Sequence, residues 1–238
     1  MTLKISAKRA DAVVVSSALE YEDAVEFGIS RKKIHVIPMG IDLPDPSPEK
    51  NRIEGAPLNI LFAGRIARVR RVELLLRAVA GLSFPWRLTL VGGEEKTSSL
   101  SKPGYLPELQ RLCGSLGIED RVLFAGAKPP EELPLYYQTA DVFVYPSLYE
   151  NFAQPILEAA AYGIPVISTA VGIAQEIIKD GETGFLVPGD PVHLREKLER
   201  LNDPTLREDM EGKIRESVRK KFAWKPIMDQ YMELYRSF

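Results

Sequence analysis

The sequence predicts an α/β fold, a parallel sheet covered by helices on both faces. Three observations carry this. Short β-branched runs alternate with helix-forming stretches from residue 58 to residue 222, the pattern of repeated strand–helix–strand units. Residues 43–57 contain four prolines spaced among charges and so separate a short earlier piece from that alternation. The stretch from Tyr145 to Glu158 reads as a strand end, a loop and a helix start, and such a crossing is where open α/β sheets place ligands.

Before the linker, residues 12–16 form a short β-rich run. Ser17 suits a helix cap, Leu19, Ala24 and Phe27 follow at roughly helical spacing, and Gly28 ends the run. Residues 35–38 read as a second strand. Beyond the linker, strands are predicted at 59–63, 87–91, 122–125, 142–145, 166–168 and 185–187, and helices at 72–80, 106–116, 130–139, 156–162, 174–179, 192–201 and 205–222. The fold class is therefore α/β and Rossmann-like. A last helix, 226–235, carries Ile227, Met228, Tyr231, Leu234 and Tyr235 along one stripe. That stripe and residues 12–15 are expected to present exposed apolar surface to a domain outside this chain.

Bulk properties exclude several classes. The chain has 238 residues, 45% of them hydrophobic, enough for one sizeable core or a domain and a half. A net charge of −2 with mixed signs leaves no footprint for nucleic acid. The single cysteine, Cys113, excludes an internal disulfide and suits a reducing compartment, so a cytoplasmic location is expected. His35 and His193 are far apart and make no metal-ligand pattern. No apolar run is long enough to span a membrane, and the first residues lack a signal-peptide core.

The chemistry concentrates in two places. Glu150 and Glu158 lie eight residues apart, one in the predicted loop and one about a turn into the helix. Pro155 fits the first turn of that helix, where a missing N–H is tolerated. The amides of Phe152, Ala153 and Gln154 then fall at the helix N-terminus, which attracts anions. Carboxylates beside an anion site suit a ligand that also carries sugar hydroxyls. An isolated pair of this kind is most often two solvated surface acids, but the apolar setting of Phe152, Ile156 and Leu157 favours a site. The second place is Gly64-Arg65-Ile-Ala-Arg68-Val-Arg70-Arg71. Gly64 lets backbone approach a ligand, and Arg65 and Arg70 can pair with one diphosphate. Arg68 is a further candidate. Gly92 and Gly93 are read as a turn.

Glu150-Asn-Phe-Ala-Gln-Pro-Ile-Leu-Glu158 resembles the E-x7-E signature of retaining GT-B glycosyltransferases, particularly family 4, and the likeness extends over roughly residues 58–236. The resemblance implies a nucleoside-diphosphate sugar as substrate, with no catalytic metal and no cofactor. It implies that Arg65 and Arg70 stabilise the departing diphosphate. Glu150 holds the donor sugar and favours its positive transition state, Glu158 holds the ribose, and the backbone near Lys128 lines the base pocket. In the family, lysine stands at the Arg70 position and glycine at Arg71, and glycine is common at Asn151 and Ala153. The implied domain plan is 1–42 as the end of an amino-terminal acceptor domain, 43–57 as linker, 58–222 as the donor-binding domain and 223–238 as a returning helix. The acceptor, a sugar or a lipid-linked group, would bind a missing amino-terminal domain, so the chain is expected not to act alone. The alternatives are a non-catalytic nucleotide-sugar-binding module, or one subunit of a split enzyme that self-associates or takes a partner chain. An epimerase or phosphorylase of the same fold is the weaker reading.

Overall fold

The computed structural model describes residues 6, 7, 9–44, 55–94 and 104–238. Most of the linker prediction, residues 45–54, lies outside the described residues.

The main sheet has six parallel strands: β3 (Leu58–Ala63), β4 (Trp86–Val91), β5 (Val122–Gly126), β6 (Val142–Tyr145), β7 (Val166–Ser168) and β8 (Gly184–Leu186). Their order is β5-β4-β3-β6-β7-β8. The chain builds outward from β3 to β5, then returns to build outward on the other side from β6. The reversal falls between β3 and β6, which pair through Ile60 with Val142 and Leu61 with Phe143. Strands buried on both faces need apolar side chains on both faces, which explains the unbroken runs. All four residues of β6 are buried, and Phe62, Phe143 and Phe185 are fully so.

The helices between these strands are α2 (Val72–Ala80), α3 (Tyr105–Leu116), α4 (Leu133–Thr139), α5 (Gln154–Ala161), α6 (Ala174–Ile177), α7 (Pro191–Arg200) and α8 (Pro204–Phe222). The six strands of the main sheet match the predicted ones to within one residue at each end, whereas the strand predicted at 35–38 is Ile34–Val36, ending two residues earlier. Three helices of this domain need correction, and the last helix, predicted over 226–235, begins two residues early at Trp224. The segment predicted as one helix over 130–139 is a 3-10 turn, Pro130–Glu132, followed by α4, because Pro134 fits only a first turn. Helix α5 begins two residues earlier than predicted, at Gln154, and α6 ends at Ile177.

Before the main sheet, β1 (Val13–Val15) and β2 (Ile34–Val36) pair in parallel around α1 (Ala18–Glu26). Val15, Ala24, Ile29 and Ile34 form a small separate core. The last helix, α9 (Trp224–Arg236), returns to this piece. Its Ile227 and Leu234 are buried against Ile37, with Ala12 and Tyr231 packed alongside. The predicted exposed stripe is thus half covered from within the chain: Met228 and Tyr235 are exposed, Ile227 and Leu234 are not. Of residues 12–15, Val15 is buried and Val14 is exposed. Cys113 is buried on α3, and burial pushes its thiol up to about 11, which suits a packing residue. Among the described residues no helix is long and apolar enough to cross a membrane.

Candidate functional site

The two segments singled out in the sequence leave β3 and β6 at their carboxyl ends, on either side of the point where strand order reverses. Gly64 has φ +148, and a Cβ there would sit 3.4 Å from the Tyr145 ring and 3.5 Å from its hydroxyl. Gly92 has φ +146, and a Cβ there would fall 1.8 Å from the Gly64 carbonyl oxygen. Backbone therefore touches backbone at this edge. The Gly92 position is set by that contact as well as by its turn.

The four arginines after Gly64 separate by partner. Arg68 points away to α3, pairing with Glu108 at 2.6 Å and lying over the Tyr105 ring; it is not in the site. Arg70 is buried and forms an ion pair with Glu150. It also donates to Ser147 Oγ at 3.3 Å and to the Tyr149 carbonyl at 3.2 Å. Its Nε is buried without a hydrogen-bond partner. Arg71 adopts φ +49, ψ +42 at the start of α2. It donates to the carbonyls of Pro146, Gly189 and Ser147 at 3.0, 3.4 and 3.3 Å. The position where the resemblance expects glycine is thus a left-handed one, and the arginine side chain offsets its backbone cost with three hydrogen bonds. Arg65 is exposed at the lip of the sheet, near enough to Tyr145 for its charge to favour ionisation of that phenol.

Glu150 is held by two groups. Besides Arg70, the Tyr145 hydroxyl donates to its Oε1 at 2.6 Å. Burial is the main cause that raises the Tyr145 pKa far above its usual value, so this tyrosine stays a donor. Glu158 has a tyrosine partner too but is given no cation among the described residues. The Tyr137 hydroxyl donates to its Oε2 at 2.6 Å. Burial raises the Glu158 pKa, and the Tyr137 hydrogen bond opposes that shift. The two tyrosines belong to one aromatic series. Phe62 stacks on Tyr145 (5.5 Å between centroids), Tyr145 on Phe143 (6.0 Å), and Phe143 meets Tyr137 (6.1 Å), which stacks on Tyr162 (5.4 Å).

The predicted residues fall into two adjoining groups. Gly64, Arg70 and Glu150 gather around Tyr145. Gln154 and Glu158 line a cavity of about 290 Å³ with Asp42, Pro130, Tyr137 and Trp224. Gln154 Oε1 is buried there without a hydrogen-bond partner. Glu150 does not line that cavity, so the series of rings, not a shared wall, connects the two acids. Phe152 and Ala153 are buried and precede α5. Ala153 is its N-cap at φ +68, ψ +58. Asn151, also at a position where glycine was expected, is not among the non-glycine residues with positive φ. Its carbonyl accepts from Ser17 Oγ at 2.6 Å. Lys128 stands after β5, paired with Glu132 at 3.2 Å, and that hydrogen bond raises its pKa. Sequence reasoning missed Tyr145, Tyr137, Ser147 and Trp224. A tyrosine inside a buried run was the available signal, since its hydroxyl needs a partner.

A parallel sheet of this order is the doubly wound arrangement that places ligands where it reverses, and the solved structures it matches over its whole length make it the sheet of a GT-B glycosyltransferase. The chain belongs to the family described as glycosyl transferases group 1, whose sequence model matches residues 45–217. It is 32% identical over 245 residues to a D-inositol 3-phosphate glycosyltransferase from Acidothermus cellulolyticus, covering 95% of this chain and 53% of that one. Sucrose-phosphate synthase from Thermosynechococcus elongatus superposes with a TM-score of 0.85 at 33% identity, covering 100% of this chain and 60% of that one. Anabaena HepE, solved in complex with UDP and glucose, superposes with a TM-score of 0.87 at 23% identity, covering 100% of this chain and 66% of that one, a likeness of fold. The chain thus spans about half the length of the curated relatives it matches.

Proposed function

We propose that this chain forms the donor-binding side of a retaining glycosyltransferase of family 4, which moves a sugar from a nucleoside-diphosphate sugar to an acceptor. The observation that carries the reading is the Arg70–Glu150–Tyr145 cluster at the strand reversal, with Arg65 exposed beside it. Arg65, Gly64 backbone and the N-terminus of α5 are proposed to take the diphosphate. Positive groups placed where leaving-group charge develops lower the barrier to departure. Arg70 holds Glu150 and adds positive charge behind the diphosphate. Glu150 then accepts from donor-sugar hydroxyls and favours the positive sugar centre. Glu158 and Gln154 face the ribose within the cavity, and the backbone near Lys128 borders the base. The donor is a substrate, and the reading calls for no resident cofactor. In this reading residues 58–222 are the donor domain, while 1–42 and the helix in 223–238 belong to the acceptor side. The acceptor is a sugar or a lipid-linked group, and full turnover needs the rest of that side.

A second reading is a subunit of a split enzyme or a binding module. It is favoured by β1 and β2, which pair only with each other among the described residues and leave Val14 and Val36 exposed. Sizing chromatography at rising concentration separates the two readings.

The direct test is thermal shift with uridine, guanosine and adenosine diphosphates and their sugar conjugates, since a ligand that binds only the folded state raises stability. One base series is expected to shift the wild type. Arg65→Ala is expected to weaken that binding by about 10- to 100-fold, the usual loss of a charged hydrogen-bonding partner. Unchanged affinity in Arg65→Ala overturns the assignment.

A further inference from the structure

We propose that α1 is a positioning clamp for Glu150, with Ser17 and Asp23 as its two jaws. The inference rests on the donor-site reading of Glu150. Residues 149–151 are anchored from opposite sides. From the main sheet, Arg70 and Ser147 Oγ both donate to the Tyr149 carbonyl, at 3.2 and 3.0 Å. From the N-terminal segment, Ser17 Oγ donates to the Asn151 carbonyl at 2.6 Å, and Asp23 accepts from the Tyr149 hydroxyl at 2.7 Å. Each of these last two contacts joins residues more than a hundred positions apart, 134 and 126 respectively. Glu150 is the one residue between the two anchored carbonyls.

Ser17 is built for both tasks. It is fully buried. Its oxygen caps α1 by accepting from the Glu20 amide at 3.2 Å, while its proton goes to Asn151. A cap needs only the oxygen, so directing the proton at the site loop is a second use of one hydroxyl. The next amide, Ala18, donates to Glu176 Oε1 at 3.0 Å. Glu176 lies just past Ile173, whose amide donates to the Phe152 carbonyl at 2.7 Å. The start of α1 thus holds the loop at Asn151 and the helix α6, which is itself tied to that loop through Ile173 and Phe152. None of these side chains touches the cavity lined by Glu158, so the clamp acts on the sugar end of the site and not on the nucleotide end. Undocking α1 removes two of the four anchors on residues 149–151 and leaves the segment held from the main sheet alone, by Arg70 and Ser147 on the Tyr149 carbonyl and by Arg70 and Tyr145 on the Glu150 carboxylate.

The test uses the full chain with Ser17→Ala, Ser17→Thr and Tyr149→Phe. Tyr149 is 46% exposed, so its variant keeps the experiment decisive where Ser17→Ala fails to fold. Amide hydrogen exchange across residues 149–153 is expected to speed up about fivefold or more in Ser17→Ala and in Tyr149→Phe, the loss of one net hydrogen bond. Ser17→Thr, which keeps the hydroxyl, is expected to restore the wild-type rate. UDP and UDP-glucose, with the guanosine and adenosine pairs beside them, supply the second readout. Affinity for the diphosphate is expected to stay within about twofold, while the sugar conjugate loses about fivefold. Wild-type exchange in both Ser17→Ala and Tyr149→Phe overturns the clamp. Faster exchange with unchanged sugar-conjugate affinity overturns its link to Glu150. A wild type that binds no probe sinks the donor-site reading instead, and the exchange arm then decides the clamp by itself.

Discussion

The Tyr145 hydroxyl donates to Glu150 Oε1 at 2.6 Å, on the same oxygen that Arg70 contacts. One carboxylate oxygen therefore meets a neutral donor and a cation, both within the protein. Tyr145→Phe removes the neutral donor and leaves the ion pair. It is expected to cost about 1 kcal/mol of stability, the net value of one hydrogen bond. Arg70→Ala removes the cation and leaves a nearly buried carboxylate without it. That change is expected to cost about 3 kcal/mol or more. Urea unfolding of both variants checks the order, and equal losses contradict it.

Glu158 gives the expected pH dependence. Its folded pKa is raised, with burial as the main cause. A raised carboxylate means that the folded state holds its proton at a pH where the unfolded chain has released it. The group's contribution to stability is then present below the unfolded carboxylate pKa and is lost as pH rises through the folded one. Glu158→Gln is expected to flatten that fall, so the variant gains on the wild type as pH rises from about 4 to neutrality. Unfolding midpoints measured across that range test it. The same variant is expected to bind nucleotide about tenfold more weakly, through loss of a charged acceptor.

Two left-handed residues respond in opposite ways to glycine. At Ala153, φ +68 is a backbone cost with no side-chain hydrogen bond to offset it. Ala153→Gly relieves that cost but loosens the unfolded chain, and the balance is expected to be a gain of up to about 1 kcal/mol. At Arg71, φ +49 is accompanied by three side-chain contacts to backbone carbonyls. Arg71→Gly is expected to destabilise by about 1 to 3 kcal/mol. A pair of thermal melts decides whether the signs differ.

Tyr149 supplies a spectroscopic expectation. Its hydrogen bond to Asp23 is the main cause that raises its phenol to about 12. The wild type is expected to show one more tyrosine titrating near that value than Tyr149→Phe, by absorbance at alkaline pH. Because the folded pKa is raised, this contact is kept below about 10 and lost as pH climbs through 12.

Gly92→Ala is expected to be poorly tolerated, because its Cβ would meet the Gly64 carbonyl at 1.8 Å, a backbone atom that cannot move aside. The variant is expected to lose several kcal/mol and to shift Arg65 with it, which circular dichroism melts and diphosphate binding report together.

Much of this was legible in the sequence. Runs such as 59–63 and 142–145 announce their strands because a sheet buried on both faces admits little else. The Arg71 and Ala153 positions stood out against the family pattern, and both proved left-handed. Asn151 stood out equally and is not, because a residue type shows what a position tolerates and not what the loop adopts. The partition of the arginines was not legible. Arg65, Arg68 and Arg70 are chemically alike, and only the path of the 3-10 turn Arg68–Arg70 sends one toward Glu108 and another toward Glu150. That Tyr145 and Tyr137 need partners was legible, but which acid each one meets was not. The covering of Ile227 by Ile37 is a contact between residues 190 apart, which no local pattern encodes.

The seam between β3 and β6 is short, two aligned residue pairs, whereas β3 and β4 share six. Beyond that seam side chains tie the two sides together: Arg70 reaches Glu150, Ser147 and the Tyr149 carbonyl, and Arg71 reaches the carbonyls of Pro146, Ser147 and Gly189. An altered side chain in the turn after β3 is therefore felt in the loop after β6. A designer who rebuilds residues 146–150 has to recut residues 68–71 with them.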